Sequence, residues 1–389
     1  MTRNRIATAI GLAALVALAA TACTPIVAPP AASPSTGGTA VAAPSATPTS
    51  STVTAPVQPK SRFTVGCDDL FPATSLAPLF SHSLTEQTGA VNARQELDIE
   101  LSSTFYIQDL GGIDCAWSDG TQIEHNGQAV YLSVLPITAA NWKHFDQTAP
   151  VSAGANKYIF CSAGDENTCE YEGYMDGDWV SILLQGMVPK PASSDNTLPT
   201  PVHNLFVAAF AKLAAAGAPG PAPTPPVGSV PLPTDPNHIL TAAQVKAAFG
   251  VAGQIKLDCD GESDGPWTIG AQAERDVNSH GGCFLAAGNT GGGYGFMDWL
   301  PGGQWAEQQA QAATPSEVPV TVPGLPAGDT AAEFHDFEND LTLDLVIGGN
   351  WVELSIPPAE TDGLIPKATV NRKVAILTLA TDVETTVRG

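Results

Sequence analysis

The side chains able to do chemistry in this 389-residue chain are seven cysteines, seven histidines, 39 acidic residues and seven tryptophans. Their spacing offers little to catalysis. His82, His125, His144, His203, His238, His280 and His335 are scattered, with no two at short spacing. There is no G-x-S-x-G elbow, no S-x-x-K, no H-E-x-x-H and no Walker loop. A carboxylate can orient an imidazole, which singles out His335-Asp336, but neighbouring residues on a strand face opposite sides. The run "DCDGESDG" (258–265) imitates the start of a calcium loop through Asp260, Glu262 and Asp264. The bidentate glutamate such a loop needs at its twelfth position is replaced by Ala271, so the run reads as a solvated acidic turn. "GNTGGGYG" (288–295) lacks a following lysine and reads as a hairpin tip. No catalytic residue, metal or cofactor is expected. Trp267 and Trp299 stand apart from the other tryptophans and are the candidates for ligand binding.

The cysteine count is odd, so one residue has no intramolecular partner. Cys23 is that residue. It follows an apolar run (Ile10–Ala20) headed by Arg3 and Arg5, and the run is shorter than the ~20 residues a membrane span requires. Ala20-Thr21-Ala22-Cys23 resembles the lipobox at which a bacterial lipoprotein is cut, leaving the cysteine to carry lipid. Residues 1–22 are therefore expected to be an export signal and Cys23 the lipid attachment point. The remaining six cysteines allow 15 pairings. Cys259 and Cys283 are alone in their half of the chain and should pair. Cys161 and Cys169 flank a turn and should close a hairpin, which leaves Cys67 for Cys115. No C-x-x-C is present, and no histidine stands at zinc-ligand spacing from these residues.

Charge and composition narrow the partners. Loss of residues 1–22 removes two arginines and no acid, taking the formal charge from −23 to −25. Such a surface repels phosphate backbones, so no nucleic-acid partner is expected. Residues 23–60 are almost wholly Pro, Ala, Ser, Thr, Val and Gly, too poor in bulky apolar groups to fold. They form a tether, with a reach on the order of 100 Å when extended and a mean span of about 35 Å as a coil. The expected location is the extracytoplasmic face of the cell membrane, reached through the N-terminal lipid.

A second proline-rich stretch, residues 217–236, divides the rest into 61–216 and 237–389. The two segments share landmarks. Cys115 matches Cys283, Trp142 matches Trp305 and Trp179 matches Trp351, at offsets of 168, 163 and 172 residues. One order at nearly one offset indicates a diverged tandem repeat. Within the second copy, Thr241 and Gln244 form a capping box ahead of an amphipathic helix stopped by Gly250. Its counterpart "ATSLAPLFSHSL" is made short or kinked by Pro78. Strands are expected at "ELDIELSSTFYI", "CAWS" and "AVYLSVLP", then at "CFLAA" and "GYGFMDWL". A short helix should surround each of Trp142 and Trp305. "DLTLDLVI" and "NWVELSI" pair across Gly348-Gly349, with Leu341, Leu343, Leu345 and Ile347 alternating with Thr342, Asp344 and Val346, as in a half-buried strand. A closing helix buries Val202, Leu205, Phe206, Ala209, Phe210 and Leu213. The fold class is α+β: two antiparallel sheets, each covered on one face by helices.

The stretches "LTAAQVKAAFG", "VPGLPAGDTAAEF" and "GGNWVELSI", with the alanine-rich closing helix, resemble a group of actinobacterial lipoproteins of unknown function. Their domains are similar to the extracellular sensor domains of actinobacterial serine/threonine kinases. The resemblance covers 237–389 well and 63–214 loosely, and the second copy departs from the first in lacking a counterpart of Cys67. It implies a surface-anchored, disulfide-stapled module and transfers no catalytic residue. The expectation is a non-catalytic lipoprotein that binds a small ligand or an envelope partner. Its rivals are a secreted hydrolase with an Asp/Glu site and a structural accessory subunit of an envelope complex.

Overall fold

The computed structural model describes residues 57–87, 103–121, 127–137, 157–162, 167–189, 198–224, 229–259, 269–278, 282–288, 293–313, 317–335, 340–358 and 368–388. The fold is α+β, with two antiparallel sheets and helices packed on them.

The first sheet belongs to the first half of the chain. Short helices α1 (Cys67–Leu70) and α2 (Ala73–Leu76) lead to strand β1 (Thr85–Gln87). Helix α3 (Ser103–Asp109) precedes β2 (Ile113–Ser118) and β3 (Ala129–Pro136). Strands β4 (Lys157–Ser162), β5 (Thr168–Met175) and β6 (Asp178–Gln185) follow, and α4 (Thr200–Ala216) closes the half. The strand order is β1-β2-β3-β6-β5-β4. Pro78 falls where α2 gives way to a 3-10 turn, Ala77–Leu79, as its missing N–H requires.

The second half has a similar order of elements, with one more strand. Helix α5 (Ala242–Phe249) carries the expected capping box, in which Thr241 Oγ1 accepts from the Gln244 N–H and Gln244 Oε1 accepts from the Thr241 N–H. After it come β7 (Lys256–Asp258), α6 (Ile269–Asn278), β8 (Cys283–Ala286), β9 (Gly293–Leu300) and α7 (Gln304–Ala313). Strands β10 (Val318–Pro319), β11 (Thr330–His335), β12 (Leu341–Ile347) and β13 (Asn350–Ile356) precede the closing helix α8 (Arg372–Arg388). The order is β7-β8-β9-β13-β12-β11-β10. Gly348 and Gly349, both at positive φ (56° and 84°), make the two-residue turn between β12 and β13.

Each sheet packs one face on its closing helix. In the first, Leu132, Ile182, Val202 and Phe206 meet. In the second, Met297, Leu343, Leu354, Ile376 and Leu379 meet. The three expected disulfides are present, Cys67–Cys115, Cys161–Cys169 and Cys259–Cys283. The sheets keep to the two sides of the 217–236 linker, yet they are joined. A third core takes Phe105, Ile107, Leu135 and Trp179 from the first half and Ile269, Leu300, Trp305 and Trp351 from the second. Phe105 is the hinge pin, edge-on to Trp351 at 5.3 Å and to Trp305 at 5.9 Å between ring centroids. Tyr106 also crosses, its hydroxyl donating to the Trp299 carbonyl at 3.3 Å.

Three expectations change. Residues 104–107, read as strand, belong to α3: Phe105, Tyr106 and Ile107 are buried together between the halves, so their apolar run reflects burial all round rather than a sheet face. Helix α6 was missed, although Ile269, Ala273 and Val277 recur every four residues. β12 and β13 are buried on both faces, so Thr342, Asp344 and Val346 lie inside, not at the surface. A sheet covered on one face is therefore the wrong description of the second half, because the shared core covers the other.

The shared core predicts one unfolding transition. Phe105→Ala removes the ring that both Trp305 and Trp351 pack on and should cost about 3–5 kcal/mol. Urea unfolding followed by far-UV circular dichroism and by tryptophan fluorescence should show a single, coincident transition shifted to lower urea. Separation into two transitions in the wild-type chain would contradict a common core.

Candidate functional site

The layer between the sheets gathers most of the strongly perturbed carboxyl groups among the described residues. It is built by strand register. On the first sheet Asp114 lies opposite Ser133, Ser133 opposite Ser181, and Ser181 opposite Glu172, giving one polar row across β2, β3, β6 and β5. On the second, Asp298 lies opposite Glu353 and Glu353 opposite Asp344, across β9, β13 and β12. These three carboxyl groups are 2%, 5% and 1% exposed.

In each row a tryptophan indole meets the acid seven positions before it. Trp179 Nε1 donates to Glu172 Oε2, and Trp351 Nε1 donates to Asp344 Oδ1 at 2.7 Å. Both tryptophans are the second residue of their strand, and both acids lie on the preceding strand. Ser181 Oγ fills the other oxygen of Glu172 at 2.6 Å. Asp114 is closed in the same way, by Ser133 Oγ at 2.5 Å and Thr104 Oγ1 at 2.6 Å. The rows differ in which strand carries the acid. Asp114 precedes Cys115, and Gly282 precedes Cys283. A Cβ at Gly282 would lie 2.0 Å from Asp298 Oδ1, so the glycine leaves room for an acid supplied by β9 instead of β8.

Burial governs the protonation of these groups. It pushes Glu172 up to about 8, against the Ser181 and Trp179 hydrogen bonds that pull the other way. It raises Asp114 as well, against Ser133 and Thr104. Asp109, at the end of α3, is pushed by burial up to about 7, with the neighbouring Trp305 indole opposing the rise. Asp178, at the start of β6, is also raised by burial to about 7. Arg62 lowers it and Asp176 adds to the rise.

Glu172 and Asp114 each have both oxygens engaged by the protein itself. A general acid or base must reach a substrate proton, and these two are committed to Trp179, Ser181, Ser133 and Thr104. What the rows do is fix register: a one-residue slip would strand each acid against an apolar neighbour. Among the described residues no group of three His, Cys, Asp or Glu could hold a metal ion.

Trp179, Trp305 and Trp351, the landmarks shared by the two segments, lie in the core between the halves. Trp299, offered as a ligand-binding candidate, is 1% exposed on the α8-facing side of β9, where it packs with Met297 and Leu343. Its ring serves the core rather than a surface site. Trp267, Trp142, Asp260, Glu262, Asp264, Asp336 and Cys23 lie outside the described residues. The polar rows themselves were not anticipated. The signal was Asp344 and Glu353 as the only acids of two strands that, apart from Thr342, Asn350 and Ser355, are otherwise apolar.

The protonation of Glu172 makes stability depend on pH. The folded protein holds this proton up to about pH 8, whereas the unfolded carboxyl loses it near 4.5. Between those values the folded state binds the extra proton, so stability is greatest at low pH and falls as pH rises through 8. Urea midpoints should therefore drop from pH 5 to pH 8, and drop less in Glu172→Gln, which cannot ionise. Equal slopes in the two proteins would show that Glu172 is already ionised in the fold. Compared with known proteins, the chain matches no family model, no curated sequence and no solved structure.

Proposed function

We propose that this chain is an exported lipoprotein, held at the extracytoplasmic face of the membrane through lipid on Cys23, whose folded head binds a small ligand or an envelope partner without catalysing a reaction. The observation that carries the non-catalytic reading is the engagement of two carboxyl groups of the layer: every oxygen of Glu172 and Asp114 already accepts a bond from within the fold. Export is supported by three disulfides, which persist in oxidising compartments. No helix of the described residues is long and apolar enough to cross a membrane, so anchoring falls to the N-terminal segment in this reading.

The head arose, in our reading, by duplication of one α+β unit. Support comes from the shared strand order, the matching tryptophan-to-carboxylate bonds and the two closing helices. The copies then fused across the polar layer, so that they act as one body. The kinship with actinobacterial lipoproteins and kinase sensor domains rests on the sequence stretches alone.

Cell fractionation and labelling with a clickable fatty acid test the anchor. The wild-type chain should partition with membranes and take up label. Cys23→Ser should lose both and accumulate in soluble form. A Cys23→Ser protein that stays membrane-bound would overturn the lipid reading.

A further inference from the structure

We infer that residues 57–63 and the two ends of the proline-rich stretch 217–236 form one clasp, pinned by Arg62, that holds the halves closed from outside and makes the linker a brace rather than a hinge.

Composition makes residues 217–236 a linker, and a proline-rich linker by itself is only a semi-rigid spacer. Its two ends are instead bonded to the fold. At the first end, the Gly220 N–H donates to the Arg62 carbonyl at 2.8 Å, and Arg62 Nε donates to the Gly220 carbonyl at 2.7 Å. Both backbone groups of Gly220 are thus taken by one residue. The Arg62 N–H donates in turn to the Gly111 carbonyl at 2.8 Å, in the turn between α3 and β2. Gly111 has a φ of +72°, and a Cβ there would lie 2.7 Å from Arg62 Cγ and 3.0 Å from Pro223 Cγ. Three segments distant in sequence therefore meet at a position that only glycine suits.

At the other end, the Val230 N–H donates to the Gly348 carbonyl at 2.8 Å, and the Val230 carbonyl accepts from Asn350 Nδ2 at 2.8 Å. Both backbone groups of Val230 are likewise taken, here by the turn between β12 and β13. A Cβ on Gly348 would lie 2.4 Å from Val230 Cγ2, so turn and linker touch. Val230 and Leu232 also pack on the second core. Upstream of Arg62, the Gln58 side chain donates to Gln108 on α3 at 3.0 Å and accepts from Gln309 on α7 at 3.1 Å, joining the halves directly. Phe63, 8% exposed, roots the segment in the first core.

These fastenings make a closed circuit. It runs from the first half at Gly111 through Arg62 to Gly220, along the linker to Val230, and into the second half at Gly348 and Asn350. The shared core completes it on the inside. Arg62 is the pin because it holds the N-terminal segment, the turn after α3 and the linker at once. The segment that leads back toward Cys23 is thereby part of what closes the head. The clasp holds whether or not Cys23 carries lipid, and whatever the head binds.

Amide hydrogen exchange on the full chain tests this, read at Gly220 and Val230, with Ile182 in the first sheet as the reference. Arg62→Met keeps an apolar stem and removes the donor, and circular dichroism verifies that it folds. Protection at Gly220 should fall by about tenfold or more in this variant, as expected for loss of a bond from a charged group. Protection at Val230 should fall with it, and Ile182 should not change. Gln58→Ala, at an exposed site, should lower the same two amides by about twofold or more. Unchanged protection at Gly220 in Arg62→Met would overturn Arg62 as the pin. A fall confined to Gly220 in both variants would show two separate contacts and overturn the clasp.

Discussion

Everything distinctive in this structure follows from burying the second face of each sheet against the other half of the chain. At the centre of the contact stands Phe105, set edge-on against Trp305 and Trp351, with Ile107, Leu135 and Trp179 around it. The consequence is large. Faces that would be solvated in an isolated module become interior, and their polar residues must find partners there or remain protonated. The indole-to-carboxylate bonds at Trp179 and Trp351 and the hydroxyls around Asp114 and Glu172 are the response. Hydrogen-bonded in this way, the layer gives the two sheets a defined register, at the cost of acids whose ionisation the fold resists.

The two halves solve the same problem with different residues. Asp114 sits on β2 in one, Asp298 on β9 in the other, with Gly282 giving way. The first half sets Glu172 against an indole and the second Asp344, and the shorter acid still reaches its indole. Asp178 precedes Trp179 and Asn350 precedes Trp351, and here the halves differ: the amide satisfies its surroundings and Asp178 Oδ1 has no partner among the described residues.

Much of the fold was legible because it depends on local pattern. The β3, β9, β12 and β13 strands, the Thr241 capping box and the three disulfides all follow from spacing within a few tens of residues. The candidate layer was not legible, because it depends on what lies opposite. Nothing local distinguishes the solvated alternation of a half-exposed strand from Thr342, Asp344 and Val346 facing a second core. For the same reason α3 read as strand: a short apolar run looks alike whether it fills a sheet or a seam. Trp299 illustrates the limit from the other side. Lacking a repeat mate, it invited a binding role, yet β9 simply turns it toward the core beneath α8.

The central claim is that the halves unfold as one body through their common layer. Native-state hydrogen exchange of the Trp179 and Trp351 indole N–H groups, followed as a function of denaturant, tests it most directly. Both protons are buried in bonds to acids of their own sheet, so a shared core requires both to exchange through the same global opening. Their opening free energies should merge with the global unfolding free energy at every denaturant concentration. Exchange of Trp351 through a smaller opening that leaves Trp179 protected would show that the second half opens alone, and would contradict the account.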